Sequence, residues 1–321
     1  MKQSLLYTLL PLSSILFISS CKDNEEVKNK TIVELPEGTV IDTAKLKELM
    51  IDFRASLSDD LLANCSNKLD SNRFYKWHNT PANKRGKRDG IKYQDLSEKQ
   101  IAQFKSMMQH FLSKDGYQKV YEITVLSEGW LEKIQENVWN RGFYSIDLFG
   151  DPEKSDAWGV QLDGHHCVIN FLVQGDTVSI VPAFLGAEPA VETHNGEHFD
   201  IFKDERDFAV TLYNGFSQQE RSSAVINTTE RGLQVGPPKK PGDPDPFIGD
   251  YDYSEFKTGL KYSDMSETSQ QNLIKVMKEY VYNVRHHFAD TWWKDIESNI
   301  DETYFVWVHD GDTVNGESLF Y

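Results

Sequence analysis

Residues 158–190, WGVQLDGHHCVINFLVQGDTVSIVPAFLGAEPA, constrain the fold more than any other part of the chain. Apolar and polar side chains alternate along the stretch, as they do in strands whose successive residues face opposite sides of a sheet. Asp163-Gly164 and Gly175-Asp176 are both dipeptides that turn a β-hairpin. The pattern predicts an antiparallel meander of residues 157–162, 165–173 and 177–184. A Pro/Gly-rich loop at 185–190 then carries Glu188.

Helices flank this block. Leu46, Leu49, Met50 and Phe53 recur at helical spacing from Thr43 onward. Ser97 with Gln100 three residues later forms a capping box, and Ile101, Phe104, Met107, Met108, Phe111 and Leu112 trace one apolar face behind it. Asp115-Gly116 reads as the stop of that helix, with a second helix expected over 117–136. Further helices are expected over 205–213 and 218–226. The segment 228–253 holds five prolines and four glycines and reads as a linker. Its Asp243, Asp245, Asp250 and Asp252 do not have the spacing of an EF-hand loop.

Beyond that linker the chain repeats itself. GIKYQDLSE from Gly90 aligns with GLKYSDMSE from Gly259, the helices that follow correspond, and residues 143–150 match 304–311 as strand and turn. The expected fold class is therefore α+β and internally duplicated, each half being amphipathic helices followed by an antiparallel β-meander. The boundaries are a first half over 43–227, the linker, and a second half over 254–321. That second half is expected to be incomplete, because the counterpart of the Trp158 strand falls at residues 318–321, where the sequence ends.

The N-terminus carries an address. Lys2 precedes an apolar run over residues 5–20, and Ile18-Ser19-Ser20-Cys21 fits a lipobox, making 1–20 a lipoprotein signal peptide and Cys21 the lipidated residue. Lys22-Asp23-Asn24-Glu25-Glu26 resembles the acidic export signal of surface-displayed bacterial lipoproteins, and residues 21–42 read as a tether. The expected location is the outer membrane, with the globule anchored by lipid at the cell surface. A formal net charge of −16 with no long basic block excludes nucleic acid as a partner. Cys65 and Cys167 remain after lipidation. Cys167 lies in an apolar strand pattern, which favours two buried thiols over a disulfide, the alternative that an oxidising compartment allows.

Arg85-Gly86 ahead of the capped helix, WGVQLDGHHCVINF, PAFLGAEPA and the helix with Gln219 and Arg221 together resemble the bacterial family called domain of unknown function 3500, over residues 45–321. Members of that family continue with another strand pair and a His-x-His stretch near an Arg-Asp, which this sequence does not contain. The resemblance implies no reaction and lends no catalytic role.

Site residues must then come from chemistry. His165 and His166 are adjacent, so in a regular strand they face opposite sides and cannot share one metal. His166 and Asn170 would lie about 13 Å apart along one strand. Catalytic candidates are His166, Glu188 and Asp163. Ligand-binding candidates are Trp158, Gln161, His165, Asn170 and Arg85, the last from a basic cluster of Lys84, Arg85, Lys87 and Arg88 suited to a carboxylate or phosphate. A structural histidine and a solvated basic loop are the plain alternatives. Glu192, His194, Glu197 and His198 are dense in possible ligands, but Asn195-Gly196 breaks any helical arrangement; His286-His287 sits on a helical pattern beside Trp292-Trp293. The chain has no GxSxG elbow, P-loop, HExxH or dinucleotide glycine fingerprint, and no cofactor is implied. Two functions follow: binding of a small molecule or glycan at the membrane surface, or a metal- or histidine-dependent hydrolase around the Gly-His-His stretch.

Overall fold

The computed structural model describes residues 42–70, 72–82, 88–180, 183–226, 258–308 and 319–320. The expected signal peptide, Cys21, the expected tether up to residue 41, Lys84, Arg85, Lys87 and the expected linker with its aspartates lie outside the described residues. Among the described residues no helix is long and apolar enough to cross a membrane.

Helix α1 (Thr43–Ser56) begins where the Asp42 carboxylate accepts the Lys45 N–H, and α2 (Asp59–Cys65) begins at Ser58 in the same way. Short strands β1 (Ser66–Asn67) and β2 (Ile91–Lys92) bracket a long irregular segment that includes a 3₁₀ turn, Asn72–Tyr75. Helix α3 (Glu98–Phe111) carries the expected Ser97/Gln100 capping box. Helix α4 (Lys114–Tyr121) is separated from α3 by only two residues, so Asp115-Gly116 lies inside its first turn rather than stopping α3. The physical reason is local. Ser113 is the N-cap and accepts the Gly116 N–H at 3.0 Å, while the Asn283 carbonyl packs where any Cβ on Gly116 would sit. A π-helical stretch, Glu122–Ser127, joins α4 to α5 (Glu128–Gln135) without a break.

The central sheet follows. Strands β3 (Ser145–Phe149), β4 (Ala157–Gly164), β5 (Cys167–Gln174), β6 (Thr177–Ser179) and β7 (Ala183–Leu185) join β1 and β2 in a seven-stranded sheet of order β1-β3-β4-β5-β6. In it β2 also pairs with β3 and β7 with β5, and only the β1–β3 pairing is parallel. One face is apolar. Trp158, Val160 and Leu162 stand opposite Val173, Phe171 and Ile169, all at most 1% exposed. Phe111 of α3 stacks on Phe171 with centroids 4.1 Å apart and meets Trp158 edge-on at 6.1 Å. The other face holds Ser145, Asp147, Gln161, Asp163 and Asn170, and it too is buried, under residues 72–82 and 88–90.

A two-stranded hairpin, β8 (Val191–His194) and β9 (Glu197–Asp200), precedes α6 (Lys203–Gly215), α7 (Gln218–Ala224) and β10 (Val225–Ile226). Then come β11 (Leu260–Lys261), α8 (Glu267–Val281), α9 (His286–Ser298), β12 (Tyr304–Phe305), β13 (Trp307–Val308) and β14 (Leu319–Phe320). The fold class is α+β, as the sequence predicts. Cys65 and Cys167 are free and buried, and burial pushes the Cys65 thiol up to about 12. The favoured expectation of two thiols therefore describes the molecule.

The two Gly-x-Lys-Tyr segments share one local geometry. Gly90 (φ +80°) and Gly259 (φ +102°) each lie against a strand carbonyl, Ile146 O and Phe305 O, which an added Cβ would approach to 2.4 Å in both cases. The tyrosine N–H three residues on donates to Tyr144 O at 2.9 Å in one segment and to Thr303 O at 2.8 Å in the other. These glycines are required twice over, by dihedral and by space. We expect Gly90→Ala and Gly259→Ala each to destabilise the protein by about 2 kcal/mol or more in denaturant titration. Gly175→Ala (φ +57°, with open space around it) should cost only about 1 kcal/mol. Equal losses at all three positions would contradict this account.

Candidate functional site

The β4–β5 hairpin turns two residues later than the sequence predicts. Gly164 pairs with Cys167, so His165 and His166 are the turn itself and not the start of a strand. The expectation that they face opposite sides of a sheet is overturned. Their rings lie side by side, centroids 3.9 Å apart and tilted by 32°. Gly164 is not the turn glycine. It stays in β4 because the Tyr144 ring packs where a Cβ would be, 1.9 Å from the nearest ring carbon. The left-handed backbone that glycine usually supplies falls instead to His166, at φ +57°. Strain of this kind concentrates at functional positions.

Each histidine is held differently. The His165 ring lies 2.6 Å through Nδ1 from the Glu128 carboxylate, both groups being buried, and its carbonyl accepts the Tyr144 hydroxyl at 2.6 Å. The other Glu128 oxygen accepts the Asn140 N–H at 3.0 Å. His166 is pinned by backbone. Its N–H donates to Asn79 O at 2.9 Å and its carbonyl accepts the Gly186 N–H at 2.7 Å. Three segments thus meet at the turn: the stem of the basic loop, the histidine pair and the Leu-Gly-Ala-Glu-Pro exit. The His166 Nδ1 is buried and pairs with no described residue. Burial lowers the imidazole from 6.5 to about 4, and the neighbouring His165 adds to the effect. At neutral pH the ring is uncharged, with one donor and one acceptor. A base so weak is poorly matched to proton abstraction near pH 7, where a catalytic pKa near the working pH serves best. The ring is better suited to binding.

The other predicted residues separate into groups. Trp158 lies in the apolar core against Phe111. Asp163, Gln161 and Asn170 lie on the buried polar face, where Arg88 Nε donates to Asp163 at 2.9 Å and Gln161 donates to Asn170 and to Phe74 O. Arg88 also donates to the carbonyls of His78 at 2.7 Å and Thr80 at 2.6 Å. Asp147 accepts from Asn67 and from Arg73, each at 2.9 Å. Burial raises both aspartates to about 6 despite the guanidinium beside each. This network fastens residues 72–82 and 88–90 to the sheet. Glu188 is exposed, and its bond to Pro189 is cis. Ser127 donates to the Pro189 carbonyl at 2.8 Å. The site thus brings together His165, His166 and the backbone on either side of Glu188, and leaves Trp158 in the core. Glu128, Tyr144 and Asn79 were not among the sequence candidates. The nearest sequence signal is Glu128-Gly129 in the middle of an apolar helical pattern.

Among the described residues no group of three or more His, Cys, Asp or Glu side chains could hold a metal ion. His194, Glu197 and their neighbours form the β8–β9 hairpin, turning at Asn195-Gly196 with φ +50° and +85°. A family model described as protein of unknown function, DUF3500, matches residues 39–321. No curated protein and no solved structure matches the chain.

The shifted groups give opposite pH dependences. Between pH 4 and 6.5 an unfolded His166 takes up a proton that the folded one refuses, so its contribution to stability falls as pH drops through that window. Asp147 and Asp163 hold protons in the fold between 3.8 and about 6, so theirs falls as pH rises. His166→Asn keeps a residue tolerant of left-handed backbone and removes only the first effect. The stability difference, wild type minus H166N, should therefore rise from pH 4 to 6.5 in urea titrations. A flat difference would contradict the placement of His166.

Proposed function

We propose, from the premise that the chain belongs to the DUF3500 family, that this is an exported, lipid-anchored cell-envelope protein that binds a small polar molecule or glycan at the His166 turn. The observation that carries the binding role is the buried, unpartnered Nδ1 of a neutral imidazole held at φ +57°. An unsatisfied buried polar group costs about 1–3 kcal/mol, which a ligand hydroxyl or amide offsets. An uncharged ring suits a neutral hydroxyl, able to donate and accept, better than it suits an anion.

Export and anchoring rest on the lipobox ending at Cys21 and the acidic run behind it. An internal duplication is proposed as the origin of the fold, supported by the paired Gly90 and Gly259 geometries and by the strands each contacts. β1 lies parallel to β3 as β10 lies parallel to β13. By strand register, which replaces the alignment of 143–150 with 304–311, Asp147 corresponds to Val306 and Asn67 to Ile226, so the polar network belongs to one copy. A second functional reading, hydrolysis, draws on the Glu128–His165 pair, whose carboxylate-to-imidazole contact has the form that orients a catalytic histidine.

Native mass spectrometry of the protein drawn from its own membrane tests these readings together. Acyl chains on Cys21 and a small-molecule adduct are expected, with the adduct lost in His166→Ala while the fold persists. An unacylated chain that retains its signal peptide would overturn the lipoprotein. An adduct retained in H166A, or a bare wild-type chain, would overturn binding at His166.

A further inference from the structure

We infer that Glu128 is the positioning residue of the His166 site, acting through His165. This rests on the reading that His166 binds the ligand, and it concerns how that ring is aimed.

The backbone of His166 is fixed on both sides, and its ring lies against the ring of His165, centroids 3.9 Å apart and tilted by 32°. His165 in turn has its ring fixed at Nδ1 by Glu128 and its carbonyl fixed by the Tyr144 hydroxyl. Orientation therefore passes from a carboxylate on a helix, through one imidazole, to the face of the next.

The helix is built to deliver that carboxylate. Its π-helical stretch, Glu122–Ser127, ends directly before Glu128, and the wider turn changes which side chains face the sheet from that point on. Ser127 then reaches the Pro189 carbonyl in the exit loop, and Glu128 reaches His165. Gly129 lets the helix backbone come close to the β8–β9 hairpin, since a Cβ there would stand 2.9 Å from His194 Nε2. Three successive residues, Ser127, Glu128 and Gly129, thus meet the exit loop, His165 and the β8–β9 hairpin in turn. Glu128 has no spare acceptor role in the helix. Its two oxygens are divided between Asn140 N–H and His165.

That division fixes the proton on His165. A carboxylate only accepts, so Nδ1 must carry hydrogen. In E128Q the amide oxygen is claimed by the Asn140 N–H, and the amide nitrogen, a donor, turns to Nδ1. His165 must then accept at Nδ1 and carry its proton on Nε2. The variant is close in size to the native residue, so packing is nearly conserved while the direction of one hydrogen bond is reversed.

The test is a long-range ¹H–¹⁵N spectrum of the full chain labelled at histidine, with signals assigned by single substitutions. In the wild type at neutral pH, His165 should carry its proton on Nδ1. In E128Q the proton should move to Nε2 and the His166 ring signals should shift with it. A purely structural glutamate would leave the tautomer alone. His165 keeping its Nδ1 proton in E128Q, or His166 signals that do not move, would overturn the inference. Should E128Q fail to fold, His165→Phe keeps a stacking face and removes Nδ1. His166 signals unchanged in H165F would overturn the inference equally. Adduct occupancy in native mass spectra should fall about tenfold in E128Q, the scale on which loss of an outer-shell partner is felt. Wild-type occupancy in E128Q would overturn the positioning role. A wild-type chain without adduct would overturn the binding reading alone, because the tautomer is read without any ligand.

Discussion

The eight-residue register between β4 and β5 is the constraint from which the rest of the site follows. Because Gly164 pairs with Cys167, the hairpin closes in two residues, and those two are histidines. The same register sorts every side chain along the hairpin. Trp158, Val160 and Leu162 go to the face that α3 covers, and Gln161 and Asp163 go to the face that residues 72–82 and 88–90 cover. A shift by one residue would exchange the two sets, placing carboxylate and amide in the aromatic core. The close packing of the Tyr144 ring on Gly164 reinforces the register, since no other residue leaves room for that ring.

Burying both faces of this sheet has a cost on the polar side that the cover itself offsets. Asp147 and Asp163 each meet an arginine from the covering residues, and Nη2 of Arg88 donates to the carbonyls of His78 and Thr80. A buried ion pair adds little net stability over well-packed apolar residues, but breaking one by removing a single partner is expensive. The network accordingly acts as a locating device. It holds the stem of the basic loop in one position, so that Asn79 lies beside His166.

Much of this was legible in the sequence. Alternation from Trp158 onward marks the meander, Ser97 and Gln100 mark the start of α3, and the recurrence of Gly-x-Lys-Tyr marks two segments with one geometry. What failed was the assignment of two glycines. Asp163-Gly164 has the composition of a turn, yet the glycine answers to the Tyr144 ring, twenty residues away in sequence, and the aspartate answers to Arg88. Asp115-Gly116 has the composition of a helix stop, yet Gly116 answers to Asn283. In both cases the glycine is needed for a close tertiary approach, which local spacing does not encode. Glu128 was hidden for a related reason, because a carboxylate within an amphipathic helix gives no sign that a π-helical stretch will turn it inward. His166 was singled out for strand geometry that it does not have.

The account stands on a neutral, partly buried imidazole at a tight turn. Its most direct test is the titration of the His166 ring in the full chain, followed by ¹⁵N chemical shift across the acidic range. The structure predicts a midpoint near 4, far below an ordinary histidine. A midpoint near 6.5 would place the ring in open solvent and remove the basis for a site at this turn.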